Sequence, residues 1–200
     1  MPELIVLCGL PGAGKSTYAN RYVQEHPNTK IMSSDAIRKE LYGDEMIQGD
    51  AGRVFRLMRT RTVEHLMNGF DVIYDATGMM RRYRAEIVDV VPAGIQKKCV
   101  IVWADVEECV KRDSLRSRKV GRAVIEQMVS SFQAPYYDEG FDEIQIILPD
   151  DFDRAKYDAS HRRRMKPKRK IQFEQNRLSW MSYGLKDGSV ETAWRIGGSS

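Results

Sequence analysis

A chain of 200 residues, 42% hydrophobic and 30% charged, has room for one α/β domain with a packed core and a modest extension. Its apolar runs fall well short of the ~20 residues that span a bilayer, and its opening lacks the basic leader of a secretory signal. The net charge of +4 is local: seven basic residues and no acid lie between Arg162 and Lys170, and without them the rest of the chain stands at −3.

In chain order, strand-like apolar runs are predicted at Glu3–Cys8, Lys30–Ser33, Asp71–Asp75, Lys98–Asp105 and Glu143–Leu148. Several are too continuous to be one-sided, which is the pattern of parallel strands covered on both faces. Helices are predicted at Lys15–Glu25, Asp35–Leu41, Gly52–Gly69, Arg84–Val91, Val106–Leu115 and Arg122–Phe132, the long one carrying Val54, Leu57, Met58, Leu66 and Met67 near helical spacing. Strands alternating with helices imply βαβ crossovers and an α/β fold with a parallel sheet of about five strands flanked by helices. Trp103 and Tyr74 read as core. After Leu148 the pattern breaks, so a boundary near residue 150 separates a 1–150 domain from a basic 151–200 extension that either docks on a polyanion or is partly disordered. Cys8, Cys99 and Cys109 follow no Cys-x-x-Cys spacing and read as reduced, mostly buried thiols, which fits a cytoplasmic protein (the host's cytoplasm if phage-encoded).

Gly9 to Thr17 reads Gly-Leu-Pro-Gly-Ala-Gly-Lys-Ser-Thr, a phosphate-binding loop between a predicted strand and a predicted helix. Gly9, Gly12 and Gly14, with Ala13 between them, let the backbone curl so that its N–H groups face phosphate oxygens. Lys15 neutralises the β- and γ-phosphates, Ser16 is a magnesium ligand, and Thr17 continues into a helix whose N-terminus favours anions. ATP and Mg²⁺ are therefore expected. The third strand ends in Asp75 with no adjacent Glu to position a water, so the pattern favours a kinase, with a hydroxyl on a second substrate as acceptor, over a motor or switch.

The second strand runs into Ser33-Ser34-Asp35-Ala36-Ile37-Arg38 on the edge that carries the loop. Asp35 is placed to take a proton from an incoming hydroxyl, and Arg38, one turn on, to hold an acceptor phosphate or the transferring group. Asp35 reads equally as a helix N-cap. Between Lys111 and Lys119 a basic loop carries Arg112, Arg116 and Arg118, a candidate lid over the γ-phosphate. The helix bearing Arg53, Arg56, Arg59 and Arg61 reads first as a solvated face, and Arg81, Arg82 and Arg84 as acceptor contacts near the cleft.

These motifs together, Gly-x-x-Gly-x-Gly-Lys-Ser-Thr, Ser-Ser-Asp-x-x-Arg, Asp75-Ala76-Thr77 and Lys-Arg-Asp-Ser-x-Arg-x-Arg-x-Val, resemble the polynucleotide 5′-hydroxyl kinases of phage and bacterial end-healing enzymes over roughly residues 3–148. The resemblance implies an adenylate-kinase-like P-loop fold with an arginine-bearing lid, and transfer of the ATP γ-phosphate to a 5′-hydroxyl of DNA or RNA. It also implies roles: Asp35 the general base, Arg38 on the acceptor's 3′-phosphate, Arg116 on the transferred phosphate, and Arg118 on the nucleotide side of the lid; Arg112, read from the basic loop itself, is expected to bind the nucleotide as well. Asp75 would join Ser16 at the magnesium, through water, or brace a lid arginine. Family members often carry Asn where Gly78 stands, and no phosphatase or ligase segment accompanies the kinase block, so a stand-alone kinase is expected. Other acceptors stay open: the hydroxymethyl group of 5-hydroxymethyluracil in phage DNA, a free nucleoside or sugar, or the target of a toxin-type kinase. So does a nucleic-acid-binding module without catalysis.

Overall fold

The computed structural model describes residues 1–116 and 119–149. Arg118 and the 151–200 extension with its basic patch lie outside the described residues.

Five strands form one parallel sheet, in the order β2 (Thr29–Ser33), β3 (Asp71–Asp75), β1 (Glu3–Cys8), β4 (Gln96–Val102), β5 (Glu143–Ile147). β1 pairs with β3 on one side, Ile5 beside Ile73, and with β4 on the other, Val6 beside Cys99. Leu4 to Cys8 are all buried although successive side chains point to opposite faces, so both faces of β1 are covered and its run is apolar without alternation. The chain leaves β1 toward β2, returns through β3, then crosses to β4. The carboxyl end of β1 lies where those directions diverge, and a crevice opens at such a point.

The helices begin where local chemistry permits. α1 (Lys15–Glu25) follows the glycine loop directly. α2 (Ser34–Tyr42) is capped by Ser33, whose hydroxyl accepts from the Ala36 N–H at 3.5 Å, and stops at Gly43 in a left-handed conformation. The cap is thus Ser33, and Asp35 sits inside the first turn with its carboxylate turned to other partners. α3 (Ala51–Met67), capped by Asp50, buries Val54, Met58, Thr62 and Leu66 at four-residue intervals. Thr62 takes a core position because its hydroxyl donates to the Met58 carbonyl at 2.8 Å. Met67, expected on the apolar face, is exposed. The opposite face spends Arg59 on Glu86 and Arg61 on Glu40, surface ion pairs that account for half of that helix's arginines.

α4 spans Arg81–Val88, earlier than the predicted Arg84–Val91. The Arg81 N–H finds the Gln133 side chain at 2.9 Å, which starts the helix there. Pro92 disfavours a helical Val91 and helps end it. α5 (Val106–Ser114) and α6 (Arg122–Ser130) bracket the basic loop, and a 3₁₀ turn at Tyr137–Glu139 leads into β5. All three cysteines are buried. Among the described residues no helix is long and apolar enough to cross a membrane.

Gly78 explains its own identity. It follows β3 with φ of 57°, and a Cβ there would lie 2.5 Å from the Leu7 carbonyl oxygen. Gly78→Ala is expected to cost about 1–3 kcal/mol in unfolding free energy through backbone strain and that contact. Urea unfolding of the two proteins measures it.

Candidate active site

The loop joining β1 to α1 is shaped by its neighbours as well as by any ligand. A Cβ on Gly9 would sit 2.5 Å from the Val102 carbonyl oxygen, and one on Gly12 the same distance from that of Cys109. Strand β4 and helix α5 therefore press directly on the loop backbone, and only glycine admits them. Ala13 is buried and its N–H donates to the Leu10 carbonyl at 3.1 Å, closing the turn. Gly14, at φ 103°, is the N-cap of α1, and no side chain caps that end. Lys15, Ser16 and Thr17 follow it at the rim of the cleft.

Lys15 Nζ donates to the carbonyls of Gly9 at 3.0 Å and Leu10 at 2.9 Å, which arches its side chain over the loop. Burial pushes its pKa down, and Asp75 works against that. Ser16 Oγ donates to Asp75 Oδ2 at 2.8 Å, a bond that joins the start of α1 to the end of β3. Asp75 is itself buried. Burial holds its carboxyl above the ordinary carboxylate range, and the nearby Asp35 charge adds to this. The Ser16 hydrogen bond, Lys15 and Arg116 pull the other way.

The second strand end brings a complementary set. Asp35 Oδ1 accepts from Arg38 Nη1 at 3.2 Å, and its Oδ2 lies 3.9 Å from Arg116 Nη2. Arg38 is buried, with its guanidinium 5.9 Å from the Phe55 ring centroid. From α5, Arg112 reaches back to the Gly12 carbonyl at 3.5 Å and is steadied by Glu108 at 2.9 Å. A cleft of about 1180 Å³ is lined by the loop and by Asp35, Arg38, Asp75, Arg112 and Arg116 alike. The expected groups thus meet in one place, apart from Arg118, which is not among the described residues.

The acceptor role expected for Arg84 meets a different arrangement. Its side chain is fully buried in an ion pair with Glu139, away from any open surface. Arg81 pairs with Asp138, and Arg82 lies over Tyr83. Trp103, expected in the core, is half-buried and lines the cleft just past the end of β4. Asp113 went unread in the sequence. Buried, it accepts from the N–H groups of Val120, at 3.1 and 2.9 Å, and Gly121, at 2.9 Å, and so holds the far end of the arginine loop against α5. It is the lone acid in the run Lys111–Lys119, a signal that could have found it.

Ser16 and Asp75 offer a hydroxyl and one carboxylate. Magnesium suits such a site, because it takes few protein oxygens and fills its remaining positions with water and phosphate. Among the described residues no group of three or more His, Cys, Asp or Glu gathers as a metal cage.

A family profile described as an AAA domain matches residues 4–135. The L-seryl-tRNA(Sec) kinase of Methanococcus maripaludis is 28% identical over 148 residues, 66% of this chain and 53% of the relative, so the chain spans about half the length of that curated protein. A chain in the structure of the Pnkp1/Rnl/Hen1 RNA repair complex is 27% identical with a TM-score of 0.59, covering 70% of this chain and 46% of that one. A sugar kinase from Janibacter sp. HTCC2649, at 17% identity and a TM-score of 0.55 over 91% of this chain and 95% of its own, shares the fold. The likeness to the repair complex bears out the resemblance to polynucleotide kinases, and the parallel five-stranded sheet bears out the P-loop α/β fold.

The Asp75 environment has a measurable consequence. With its carboxyl held above the ordinary range in the fold, ionising it destabilises the native state. That penalty grows as pH rises from the unfolded toward the folded pKa and is constant above. Asp75→Asn is expected to melt higher than wild type at pH 7, with the gap closing as pH falls through the raised folded pKa and gone below about 4. Thermal melts across that range test it; a lower melting point for the variant at pH 7 would mean the ionised carboxylate is net stabilising.

Proposed function

The chain belongs to the AAA domain family, and from that premise we propose that it is a P-loop phosphotransferase of the kinase type that transfers the γ-phosphate of ATP to a 5′-hydroxyl end of DNA or RNA, in a cytoplasmic setting. One observation carries this: Asp35, held by Arg38 at 3.2 Å and near Arg116 at 3.9 Å, lines the same cleft as Lys15 and Ser16. A carboxylate and two guanidiniums beside a phosphate-binding loop are what an acceptor hydroxyl and a migrating phosphoryl group require.

In this reading the acceptor oxygen forms a bond to the γ-phosphorus as the bond to the β–γ bridging oxygen breaks, ADP leaves, and the hydroxyl proton passes to Asp35. Arg116 balances charge on the equatorial oxygens, and Arg38 holds an acceptor phosphate. The glycine loop, Thr17 and Arg112 seat the nucleotide, with Lys15 on its β- and γ-phosphates. Ser16 and Asp75 would hold magnesium, which when bound neutralises phosphate charge. The relative named as an L-seryl-tRNA(Sec) kinase and the RNA repair complex support a hydroxyl on RNA, or on a group attached to RNA, over that of a free sugar.

Asp35→Ala is expected to lower transfer to a 5′-OH oligonucleotide by about 10²–10⁴-fold while ATP affinity holds within about threefold. Radiolabel transfer from γ-labelled ATP, with 5′-OH DNA, 5′-OH RNA, duplex containing 5-hydroxymethyluracil, and free nucleosides as acceptors, checks both the base and the substrate. Near-normal turnover by the variant removes Asp35 from the role. Labelling confined to the nucleosides would move the acceptor to small molecules.

A further inference from the structure

Arg84 and Glu139 form a fully buried ion pair, each side chain 0% exposed. Arg84 Nε donates to Glu139 Oε2 at 2.8 Å and Nη2 to Oε1 at 2.7 Å. The guanidinium is not used up by this. Nη1 donates to the Gly78 carbonyl at 2.8 Å, and Nη2 also reaches the Ala134 carbonyl at 3.3 Å. Glu139 Oε1 accepts in turn from the Tyr136 N–H at 3.0 Å.

A buried ion pair is weak evidence of a stability device, because apolar side chains of similar volume often serve as well or better. What it supplies beyond an apolar pair is a fixed set of directed bonds, and here they point at the active site. Gly78 is three residues past Asp75. Its carbonyl also accepts from the Cys8 thiol at 3.2 Å, and the Thr77 carbonyl accepts from the N–H of Gly9, the first glycine of the phosphate loop, at 3.0 Å. On the other side, the segment returning from α6 is pinned to the same turn: Gln133 N–H donates to the Met79 carbonyl at 2.9 Å, and the Gln133 side chain receives the Arg81 N–H. Arg84 and Glu139 thus sit beneath the junction of the β3 end, the glycine loop and the segment that returns from the arginine loop.

We propose that Arg84 and Glu139 are positioning residues for phosphoryl transfer: they clamp the Gly78 carbonyl and thereby fix the Asp75–Gly78 turn against the glycine loop. This rests on the phosphotransferase reading, whichever hydroxyl is the acceptor. Neither side chain reaches the cleft surface, so any effect on turnover passes through Gly78 and its neighbours.

The test uses the full chain and two variants. Arg84→Lys keeps a cation for Glu139 but lacks the planar fork needed to reach Gly78 and Ala134 together. Arg84→Met with Glu139→Leu replaces the pair by packed apolar groups and removes the bond to Gly78. Melting temperature, affinity for a fluorescent ATP analogue, kcat and KM with a 5′-OH oligonucleotide, and hydrogen exchange at the Gly9 amide are measured for each. The double variant is expected to melt within about 5 °C of wild type. Both variants should lose about 10–100-fold in kcat with nucleotide affinity changed less than about threefold, and the Gly9 amide should exchange about tenfold faster or more. Wild-type kcat in either folded variant overturns the proposal, and so does loss of the melting transition in both, which would make the pair a stability element. If wild type phosphorylates no oligonucleotide, it is the acceptor assignment that fails. Gly9 exchange then decides alone: acceleration upholds the clamp, and an unchanged rate overturns it.

Discussion

All five strands run in the same direction, and the functional geometry depends on that. A parallel sheet with β1 at its centre delivers the carboxyl ends of β1, β2, β3 and β4 to one edge. Cys8 leads into the glycine loop there, Ser33 into Asp35, Asp75 into the turn at Gly78, and Val102 past Trp103 into α5. The groups that meet in the cleft are far apart in the chain, Ser16 and Asp75 by 59 residues and Arg112 and Gly12 by 100. No local preference could gather them. The buried, unalternating β1 does, because it must be covered by a neighbour on each side and by helices on both faces.

Within that frame the charged groups hold one another. Lys15 is turned onto the loop carbonyls, Asp75 onto Ser16, and Asp35 onto Arg38 with Arg116 near by. Lys15 and Asp75 are each pushed by burial toward their neutral forms, and each opposes that push in the other. A phosphate that takes up Lys15, or a cation that takes up Ser16 and Asp75, therefore replaces bonds that these groups now make to the protein itself. Asp35 and Arg116 come from opposite walls, one from the first turn of α2 and the other from the loop after α5.

Much of this was legible in the sequence because it is local. The spacing from Gly9 to Ser16 specifies its own turn, β1, β3 and α1 fall where their apolar and helical patterns run, and Asp35 and Arg38 lie one turn apart on α2. What the sequence hid depends on distant partners. Arg84, expected as an acceptor contact near the cleft, lies on a helix that begins at Arg81 and turns inward to a glutamate 55 positions away. Thr62 could not be read as core without knowing that its hydroxyl is satisfied within the helix. Trp103 could not be moved from core to cleft without knowing that β4 ends one residue earlier.

The glycines show how a correct motif can carry an incomplete reason. Gly9 and Gly12 are expected in a phosphate loop for the freedom of their backbone, and both lie at positive φ. Each is also the contact point for a neighbouring carbonyl, Val102 for Gly9 and Cys109 for Gly12, at distances no side chain tolerates. Gly78 meets the Leu7 carbonyl in the same way. These three approaches bring β4, α5 and the β3 turn onto one short stretch of backbone. The loop is therefore the point at which three elements are packed together, and a substitution that merely stiffened it would also push apart the elements that carry Arg112 and Asp75. Binding and architecture share the same atoms here, and Gly78 is a packing requirement of this chain.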